Sequence, residues 1–516
     1  MLNRRTLFLV SAAAVASGVF AQTATMTAAK PKLVLAIVVD QYRYDYMTRF
    51  RADFTGGFKT LLTRGAVFTN ARYVHVPTVT AIGHSTFLSG ATPAMSGIIG
   101  NDWYDRASGK KVTSVSDDEA KLLGGSESPT GSSPRRMLVS TLGDEMRIVD
   151  SRSKVIGISL KDRAAILPVG HMANGAYWFD GGTGGFASST YYFPELPAWV
   201  WDYNASHPAD KYAGTTWAKK TFAAKPGEAL YKSLPASPWG NELIESFAEA
   251  AITSEKMGMS GSTDLLAVSF SSNDYVGHDV GPDDPKVHDM ADRTDVLLSK
   301  LFAFIDKRLG MQNVVIVFTA DHGIAPLVEM DAEHHMPGGR LLEEPTKAAV
   351  EAALSKKYGE AKWVVGAAEY GYYLDWSAIE SRKLSRAEVS ETAAEALRAS
   401  PHVFRAYTRD ELARGAIQHD FVGELVTNGF FEKRFPDVTY VPDPYWMTAT
   451  KNSGTNHGTP FGYDTHVPVI FMGPGIKPGV YNQEIKPNDI APTLATLLSV
   501  ETPSGSIGRC LTEILK

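Results

Sequence analysis

Five apolar runs rich in β-branched residues constrain the fold of this chain more than any other feature. Each run is apolar at successive positions, which is typical of a strand buried on both faces of a parallel sheet. Helical patterns separate the runs, for example Asp292–Leu309 and Ile490–Leu498. Strands that alternate with helices predict an α/β sheet covered by helices on both faces. The predicted strands are Leu33–Val39, Val155–Ser159, Leu265–Phe270, Val314–Phe318 and Val467–Met472.

The predicted strands are unevenly spaced, and long segments separate the second from the third and the fourth from the fifth. We interpret residues 22–516 as one domain with cap insertions over one edge of the sheet, at about 105–150, 165–260 and 330–450. Aromatic clusters in the second insertion are expected to form cap core, with a platform for the substrate as the alternative. One further helix is predicted at Arg386–Ala399, because Ser385 is a favourable N-cap with Glu388 three residues later.

The first residues have the pattern of an export signal. Arg4 and Arg5 precede the apolar stretch Leu7–Val15, and a cleavage site fits before Gln22. Residues 1–21 are therefore interpreted as a signal peptide, with a short membrane anchor as the alternative. The paired arginines also resemble a twin-arginine signal, which leaves the export route open. No later apolar run is long enough to span a bilayer, so we expect a periplasmic or secreted protein without a stable membrane anchor.

Composition restricts both the partners and the kind of metal site. The formal net charge of -6 gives no reason to expect nucleic acid or an anionic membrane as a partner. Cys510 is the only cysteine, so this chain cannot form a disulfide within itself. A thiolate metal site is excluded for the same reason, and any metal chemistry must depend on Asp and His.

Ionisable side chains follow four of the five predicted strands. Ligands of an open α/β sheet bind beyond the carboxyl ends of its strands, so these side chains should share one edge. Carboxylates crowded at one edge repel each other unless positive charge lies between them. In chain order the residues are Asp40 after the first strand, Lys161 and Arg163 after the second, Asn273, Asp274 and His278 after the third, and Asp321 and His322 after the fourth.

Zinc ions are the natural source of that positive charge. A catalytic zinc site has three protein ligands, drawn here from His nitrogen and carboxylate oxygen, and keeps one open position. Asp274 and His278 are four residues apart, which places them on one face of a helical turn. The glycine-containing segment Gly454–Pro460 supplies one more histidine. Two three-ligand sites can therefore be formed, and the six candidate ligands are Asp40, Asp274, His278, Asp321, His322 and His457.

The segment Pro77–Ser85 contains the candidate nucleophile. Pro77 disfavours helix just before it, and the residues that follow can open one. A hydroxyl at a helix N-terminus lies near the positive end of the helix dipole, which stabilises an alkoxide, and a bound metal does so more strongly. Thr80 is the candidate, with helix capping as its alternative role. Thr78 and Ser85 compete with it on sequence grounds.

In type, order and approximate spacing, these residues resemble the alkaline phosphatase superfamily. Within it, they are similar to the bacterial threonine-nucleophile monoesterases of the phosphate-irrepressible type, among the type I phosphodiesterase/nucleotide pyrophosphatase-like sequences. The resemblance covers nearly the whole mature chain, from Val38–Gln41 to Asn456–Gly458. It implies an alkaline-phosphatase-like fold for residues 22–516, with a central mostly parallel sheet between helix layers and cap insertions.

The resemblance also implies two zinc ions per chain and a set of groups around the substrate. Thr80 matches the family's nucleophile, and Asn101 matches an amide that contacts a phosphoryl oxygen. Lys161 and Arg163 match the pair that marks monoesterases of this type. The matching zinc ligands are Asp274, His278 and His457 for one ion, and Asp40, Thr80, Asp321 and His322 for the other. Four other histidines match no catalytic or metal-binding position of the family, and we interpret them as structural: His84, His288, His334 and His335.

The implied activity is hydrolysis of small-molecule phosphate monoesters through a phosphothreonine, by a protein that we expect to be a monomer. Three carboxylates, two zinc ions, two basic side chains and a Thr80 alkoxide leave two positive charges, which a monoester dianion neutralises and a diester does not. The nearest alternative is a phosphodiesterase or nucleotide pyrophosphatase, which shares the metals and the threonine. The resembling families lack a pair that matches Lys161 and Arg163, so this pair is the discriminating feature. A catalytically inactive binding protein on the same scaffold is the alternative from a different class.

Overall fold

An eleven-stranded sheet organises the protein, whose computed structural model describes residues 30–126, 130–450 and 452–516. The predicted signal peptide, residues 1–21, lies outside the described residues. Helices cover both faces of the sheet, which confirms the predicted fold class. From one edge to the other, the strands are Gly479–Tyr481, Ala66–Arg72, His466–Met472, Val314–Thr319, Leu33–Val39, Asp264–Phe270, Val155–Ser159, Gly175–Asp180, Gly185–Ser189, Ser116–Leu123 and Thr130–Ser132.

The centre of the sheet is parallel, as the continuous apolar runs predicted. Leu33–Val39 pairs in parallel with Asp264–Phe270 on one side and with Val314–Thr319 on the other. Val155–Ser159 and Gly175–Asp180 continue the parallel block. The four predicted strands in this block agree with the structure to within one residue at each end.

The fifth predicted strand has the correct position but the wrong direction. His466–Met472 runs antiparallel to both of its neighbours, Val314–Thr319 and Ala66–Arg72. The prediction of a parallel strand at Val467–Met472 is therefore wrong. All residues from Val467 to Met472 are buried, and burial on both faces produces a continuous apolar run whichever way the strand points.

Successive residues of the central strands face two separate cores. Leu33, Leu35 and Ile37 pack on one face, under the helices Gly57–Arg64, Pro238–Ser254 and Pro285–Leu309. Val34 and Ala36 pack on the opposite face, under the helices Thr80–Ser89, Leu142–Val149 and Ile490–Leu498. This alternation is the two-residue period of a strand, and it explains why every position of the run is apolar.

Two of the predicted insertions contribute strands to the central sheet. Gly175–Asp180 and Gly185–Ser189 lie between residues 165 and 260 and extend the sheet beyond Val155–Ser159. Their aromatic side chains pack against Phe247 of the helix Pro238–Ser254, with ring centroids 5.4 Å away for Tyr177 and 3.9 Å away for Phe186. These aromatic residues therefore belong to the core of the central sheet, where we had expected cap core.

The segment between residues 330 and 450 forms a second sheet with its own core. This four-stranded sheet is antiparallel throughout and packs against the helices Glu343–Tyr358 and Arg386–Arg398. The Ser385 side chain accepts a hydrogen bond from the backbone of Glu388, as predicted. In spatial order, the strands are Val364–Ala368, Gly371–Leu374, Val438–Pro442 and Val403–Thr408.

No helix of the described residues has both the length and the apolar character needed to cross a membrane.

Short elements connect these parts. The short strand pairs are Asp102–Asp105 with Lys110–Thr113, Thr216–Trp217 with Lys220–Thr221, and Gly339–Leu342 with Trp446–Ala449. The remaining α-helices are Tyr46–Arg49, Pro93–Ser96, Asp162–Ile166, Ala198–Ala205, Glu228–Tyr231, Ser272–Val280, Val328–Glu333, Trp376–Ser381, Arg409–Ala413, Phe421–Gly429 and Gly462–Thr465.

Candidate active site

The carboxyl ends of the parallel strands bring most of the candidate residues to one edge of the sheet. Asp40 directly follows Leu33–Val39, and Asp321 is the second residue after Val314–Thr319. Asp274 lies in the first turn of the helix Ser272–Val280, which begins just after its strand. Because these strands run in one direction, their carboxyl ends coincide, as the sequence predicted.

His457 reaches the same edge from the opposite direction. It lies nine residues before His466, where the antiparallel strand begins. The amino end of an antiparallel strand lies beside the carboxyl ends of its neighbours. A parallel strand at this position, as predicted, would begin at the far edge of the sheet. The antiparallel direction is therefore what allows His457 to join the other candidates.

Thr80 is the first residue of the helix Thr80–Ser89 and is only 2% exposed. Its Oγ1 atom lies 3.4 Å from Nζ of Lys161. The two competing hydroxyls donate to backbone carbonyls, from Thr78 at 3.0 Å and from Ser85 at 2.9 Å. Among the three hydroxyls that the sequence left open, Thr80 is thus the one placed beside the charged groups.

Gly83 allows the Thr80 helix to approach the Asp321 segment closely. A Cβ atom built on Gly83 would overlap the backbone oxygen and the Cβ atom of Asp321. Real side chains do not come this close, so any other residue would force the two segments apart. Glycine at this position therefore sets the distance between the candidate nucleophile and one candidate ligand.

The Lys161 ammonium lies between two carboxylates. Nζ is 2.6 Å from Oδ2 of Asp40 and 2.6 Å from Oδ2 of Asp274. Burial lowers the pKa of Lys161, but the charges of Asp274 and Asp40 outweigh it and raise the pKa, so Lys161 stays protonated. Burial and the charge of Asp321 raise the pKa of Asp40 well above its usual range. One ammonium therefore does not balance the charge of three carboxylates.

Hydrogen bonds to the backbone fix the tautomers of the three candidate histidine ligands. Nδ1 of His278, of His322 and of His457 each lies 2.7–2.9 Å from a backbone carbonyl oxygen. A carbonyl oxygen only accepts, so each Nδ1 carries a proton, and in the neutral imidazole Nε2 is then the nitrogen with the lone pair. Histidines that bind metal through Nε2 are oriented in this way.

The Nε2 atoms point at carboxylate oxygens. Nε2 of His278 is 3.1 Å from Oδ1 of Asp274, and Nε2 of His457 is 3.8 Å from the same oxygen. Nε2 of His322 is 3.5 Å from Oδ1 of Asp40 and 3.3 Å from Oδ2 of Asp321. Each predicted set of three ligands is thus brought together by the fold.

These atoms form a donor set suited to two metal ions. Asp274, His278 and His457 form one compact group, and Asp40, Asp274 and His322 form another. Within the described residues, the buried atoms Oδ1 of Asp40, Oδ2 of Asp321 and Nε2 of His322 form no hydrogen bond of acceptable geometry, although each lies 3.2–3.5 Å from another of these atoms or from His84. Buried polar atoms without partners are costly, and carboxylate oxygen with imidazole nitrogen is the ligand set that zinc takes. Asp274 lies between the two groups, whereas the sequence assigned it to one.

Two further residues lie near these ligands, and the sequence analysis gave neither of them a role in the chemistry. The backbone of Gln41 donates to Asp321 at 3.0 Å, and its side chain donates to Asp274 at 2.7 Å. Its position directly after Asp40 was the available signal. His84, which the sequence analysis treated as structural, lies 2.9 Å from the carbonyl oxygen of Thr80 and 3.2 Å from Oδ2 of Asp321. The signal for His84 was its spacing of one helical turn from Thr80.

Asn101 and Arg163 complete the predicted set. Oδ1 of Asn101 accepts from the backbone N–H of Ala81 at 2.9 Å, which holds the amide next to Thr80 and leaves its Nδ2 hydrogens as donors. The Arg163 side chain is 27% exposed, and its nearest carboxylate partner among the described residues is Asp162, at 3.9 Å. The charge of Arg163 works against the protonated form of Lys161, but burial and the two carboxylates have larger effects on the pKa of Lys161.

Three comparisons with known proteins agree in the relatives that they find. The family described as type I phosphodiesterase / nucleotide pyrophosphatase matches residues 34–465. The chain is 38% identical to the alkaline phosphatase PhoV of Synechococcus elongatus, across 95% of this chain and 94% of that protein. It is 36% identical to the alkaline phosphatase PafA of Elizabethkingia meningoseptica, across 97% of each. The crystal structure of wild-type PafA matches with a TM-score of 0.88 and covers 94% of this chain and 99% of that chain.

Proposed function

This chain belongs to the type I phosphodiesterase / nucleotide pyrophosphatase family, and on that premise we propose that it is an alkaline phosphatase that hydrolyses phosphate monoesters. One observation carries the choice of monoesters. The buried Lys161 ammonium lies 3.4 Å from Oγ1 of Thr80, and Arg163 follows it two residues later in the chain. A monoester dianion has one more negative charge than a diester, so a cation beside the nucleophile favours it.

The chain's own residues account for the covalent steps. Oγ1 of Thr80 gives up its proton to solvent and attacks phosphorus in line. A phosphothreonine forms as the bond from phosphorus to the leaving oxygen breaks, and that oxygen takes a proton from solvent. Lys161 stabilises the deprotonated hydroxyl by its charge. Asn101 donates from Nδ2 to a non-bridging oxygen, and Arg163 offers its guanidinium to the same group. Water then hydrolyses the phosphothreonine, which releases phosphate and restores Thr80.

We assign two zinc ions to the donor set. Asp274, His278 and His457 would hold one ion, and four residues named below would hold the other. Zinc, when bound, acts as a Lewis acid and neutralises the carboxylates, which Lys161 balances only in part. The unpartnered buried atoms on Asp40, Asp321 and His322 support this assignment. The ligands of the second ion would be Asp40, Thr80, Asp321 and His322.

The signal pattern before Gln22 supports a second part of the proposal. Residues 1–21 direct export and are removed, and residues 22–516 act outside the cytoplasm as a monomer. The insertions at about 105–150, 165–260 and 330–450 shape the approach to the site. Sequencing the first residues of the secreted or periplasmic protein tests the cleavage, and a mature chain that still begins at Met1 would contradict it.

The activity is tested with an aryl phosphate monoester and the matching diester, each with and without chelator. We expect a higher kcat/KM for the monoester, loss of both activities after chelation, and recovery on addition of zinc. A higher kcat/KM for the diester would favour the phosphodiesterase alternative. Activity that survives complete removal of metal would contradict the metal site.

A further inference from the structure

A cavity of about 600 Å³ lies next to His278. Its wall includes His278, Tyr275 and Val276 from the helix Ser272–Val280. His278 is the only one of the candidate ligands in this wall, and neither Thr80 nor Lys161 contributes to it. The cavity is therefore on the His278 side of the site. Its volume suits a ligand of nucleoside or aryl size.

In-line attack places this cavity on the leaving-group side of the reaction. The attacking and leaving oxygens lie on opposite sides of phosphorus, so a leaving group points away from Thr80. The proposed assignment puts Thr80 among the ligands of the other ion, with Asp40, Asp321 and His322. The group of Asp274, His278 and His457 is therefore the one on the side away from Thr80. A leaving group that passes His278 enters the cavity that His278 lines.

The wall of the cavity offers aromatic surface. Tyr275 is 38% exposed, lines the cavity and follows Asp274 directly in the chain. Its ring centroid lies 5.3 Å from Nζ of Lys161, so the ring is beside the reacting groups. Trp217 contributes a second aromatic ring to the wall and is held by a hydrogen bond of 2.6 Å from Nε1 to Asp289. A planar leaving group can pack against such rings.

Among the described residues, the charged side chains of the wall are mostly positive. Lys220, Lys286 and Arg340 line the cavity, against one carboxylate, Asp279. Arg340 is bound to Glu329 at 2.8 Å and so is already neutralised. Lys220 and Lys286 form no ion pair with any residue in the described part of the chain. Nζ of Lys220 lies 5.1 Å from the ring centroid of Phe222, but neither lysine has a carboxylate partner among the described residues, so the pair favours an anion in the cavity.

We propose that this cavity is a leaving-group subsite, selective for phosphate monoesters whose leaving group is a planar ring with a negative charge of its own. The inference rests on the proposed monoesterase function and names its substrate class. Tyr275 contacts the ring, and Lys286 and Lys220 attract the distal charge. Small alkyl phosphates reach the same reacting groups without using the cavity.

The test uses two substrates that differ only in distal charge, 4-carboxyphenyl phosphate and its neutral amide, 4-carbamoylphenyl phosphate. The measured quantity is the ratio of their kcat/KM values, compared between wild type and variants so that leaving-group reactivity cancels. Lys286→Glu should lower this ratio by about fivefold, which corresponds to about 1.6 RT and is of the order of the interaction between two unit charges about 4 Å apart in water. Lys220→Glu should lower it in the same direction.

The helix that carries Lys286 also supplies a matched control. Lys307 is exposed near the far end of the helix Pro285–Leu309, about 30 Å from Lys286 along the helix axis. Lys307→Glu makes the same change in net charge and should leave the ratio unchanged. An equal fall in the Lys307 variant would mean that net charge alone acts, and it would overturn the proposal.

The aromatic wall is tested separately. Tyr275→Leu should lower kcat/KM for the aryl substrates by about threefold to tenfold relative to methyl phosphate, whereas Tyr275→Phe keeps the ring and should behave like wild type. If methyl phosphate is hydrolysed by every variant but neither ratio changes, the subsite is refuted and the monoesterase function stands. If no monoester is hydrolysed by the wild type, the proposed function itself fails.

Discussion

His457 donates a hydrogen bond from Nδ1 to the carbonyl oxygen of Thr78, 2.7 Å away and two residues before Thr80. The two segments are joined a second time, because Oγ1 of Thr78 donates to the carbonyl oxygen of Thr459 at 3.0 Å. Asp464 fixes Thr459 in turn by accepting from its backbone N–H at 2.8 Å and from its hydroxyl at 2.6 Å. A candidate ligand and the candidate nucleophile are therefore held by one network.

This network predicts a distant effect on metal binding. Asp464→Ala removes the acceptor that orders the Thr459 backbone, so His457 loses part of its orientation. We expect zinc affinity to fall by about tenfold, with activity restored by excess zinc. Competition with a chelating dye measures the affinity. An unchanged zinc affinity in a folded Asp464→Ala protein would show that the network has no influence on His457.

The nucleophile assignment predicts a covalent label. Thr80→Ala should remove nearly all turnover and leave the zinc content unchanged, since the six other ligands remain. Acid quenching of wild type during turnover should trap phosphate on Thr80, which peptide mass spectrometry locates. Thr78→Ala serves as the control and should still be labelled at Thr80. A label on Thr78 or Ser85 would show that Thr80 is not the nucleophile.

Lys161 and Arg163 predict the preference for monoesters. A charge-assisted hydrogen bond contributes about 1.5–3 kcal/mol, so each alanine substitution should lower monoester kcat/KM by about tenfold to a hundredfold. The double variant should lose more, although not additively, because both groups act on one phosphoryl group. Diesters should lose much less. Equal losses on both substrates, measured at saturating zinc, would mean that the pair only organises the site.

Glu245 predicts a pH dependence of stability away from the site. Burial, and then the neighbouring Glu249, raise the pKa of Glu245 to about 7. A carboxyl whose pKa is raised on folding stabilises the protein below its unfolded pKa, and this contribution is lost as pH rises through about 7. Glu245→Gln should therefore raise Tm relative to wild type at pH 8 and change it little at pH 5.

The control for Glu245 is an exposed glutamate. Glu344 is 83% exposed and weakly paired with Lys347. Glu344→Gln should give the same difference in Tm from wild type at both pH values. Thermal unfolding followed by circular dichroism provides the comparison. Nζ of Lys300 lies 2.7 Å from Oε2 of Glu245. A Glu245→Gln variant that is less stable than wild type at pH 8 would show that this ion pair in the wild type outweighs the cost of burying the charge.

The sequence by itself determined the central strands and most of the candidate ligands. A run such as Leu33–Val39 indicates a strand buried on both faces by its composition alone. The periodicity of Ile490–Leu498 predicts a helix. Once the strands are known, the residues that follow them have a known location, because carboxyl ends of parallel strands share an edge. Asp40, Asp274 and Asp321 could therefore be grouped without coordinates.

Only the tertiary structure decided the direction of His466–Met472 and the contacts within the site. Burial leaves no mark of strand direction, so the route by which His457 arrives could not be predicted. Gln41 and Asp321 are 280 positions apart, and Lys161 meets Asp40 across 121. Local sequence carries no information on such distances, because they are set by how remote segments pack around one core. For the same reason, the positions of Gln41 and His84 against the candidate ligands emerge only from the folded chain.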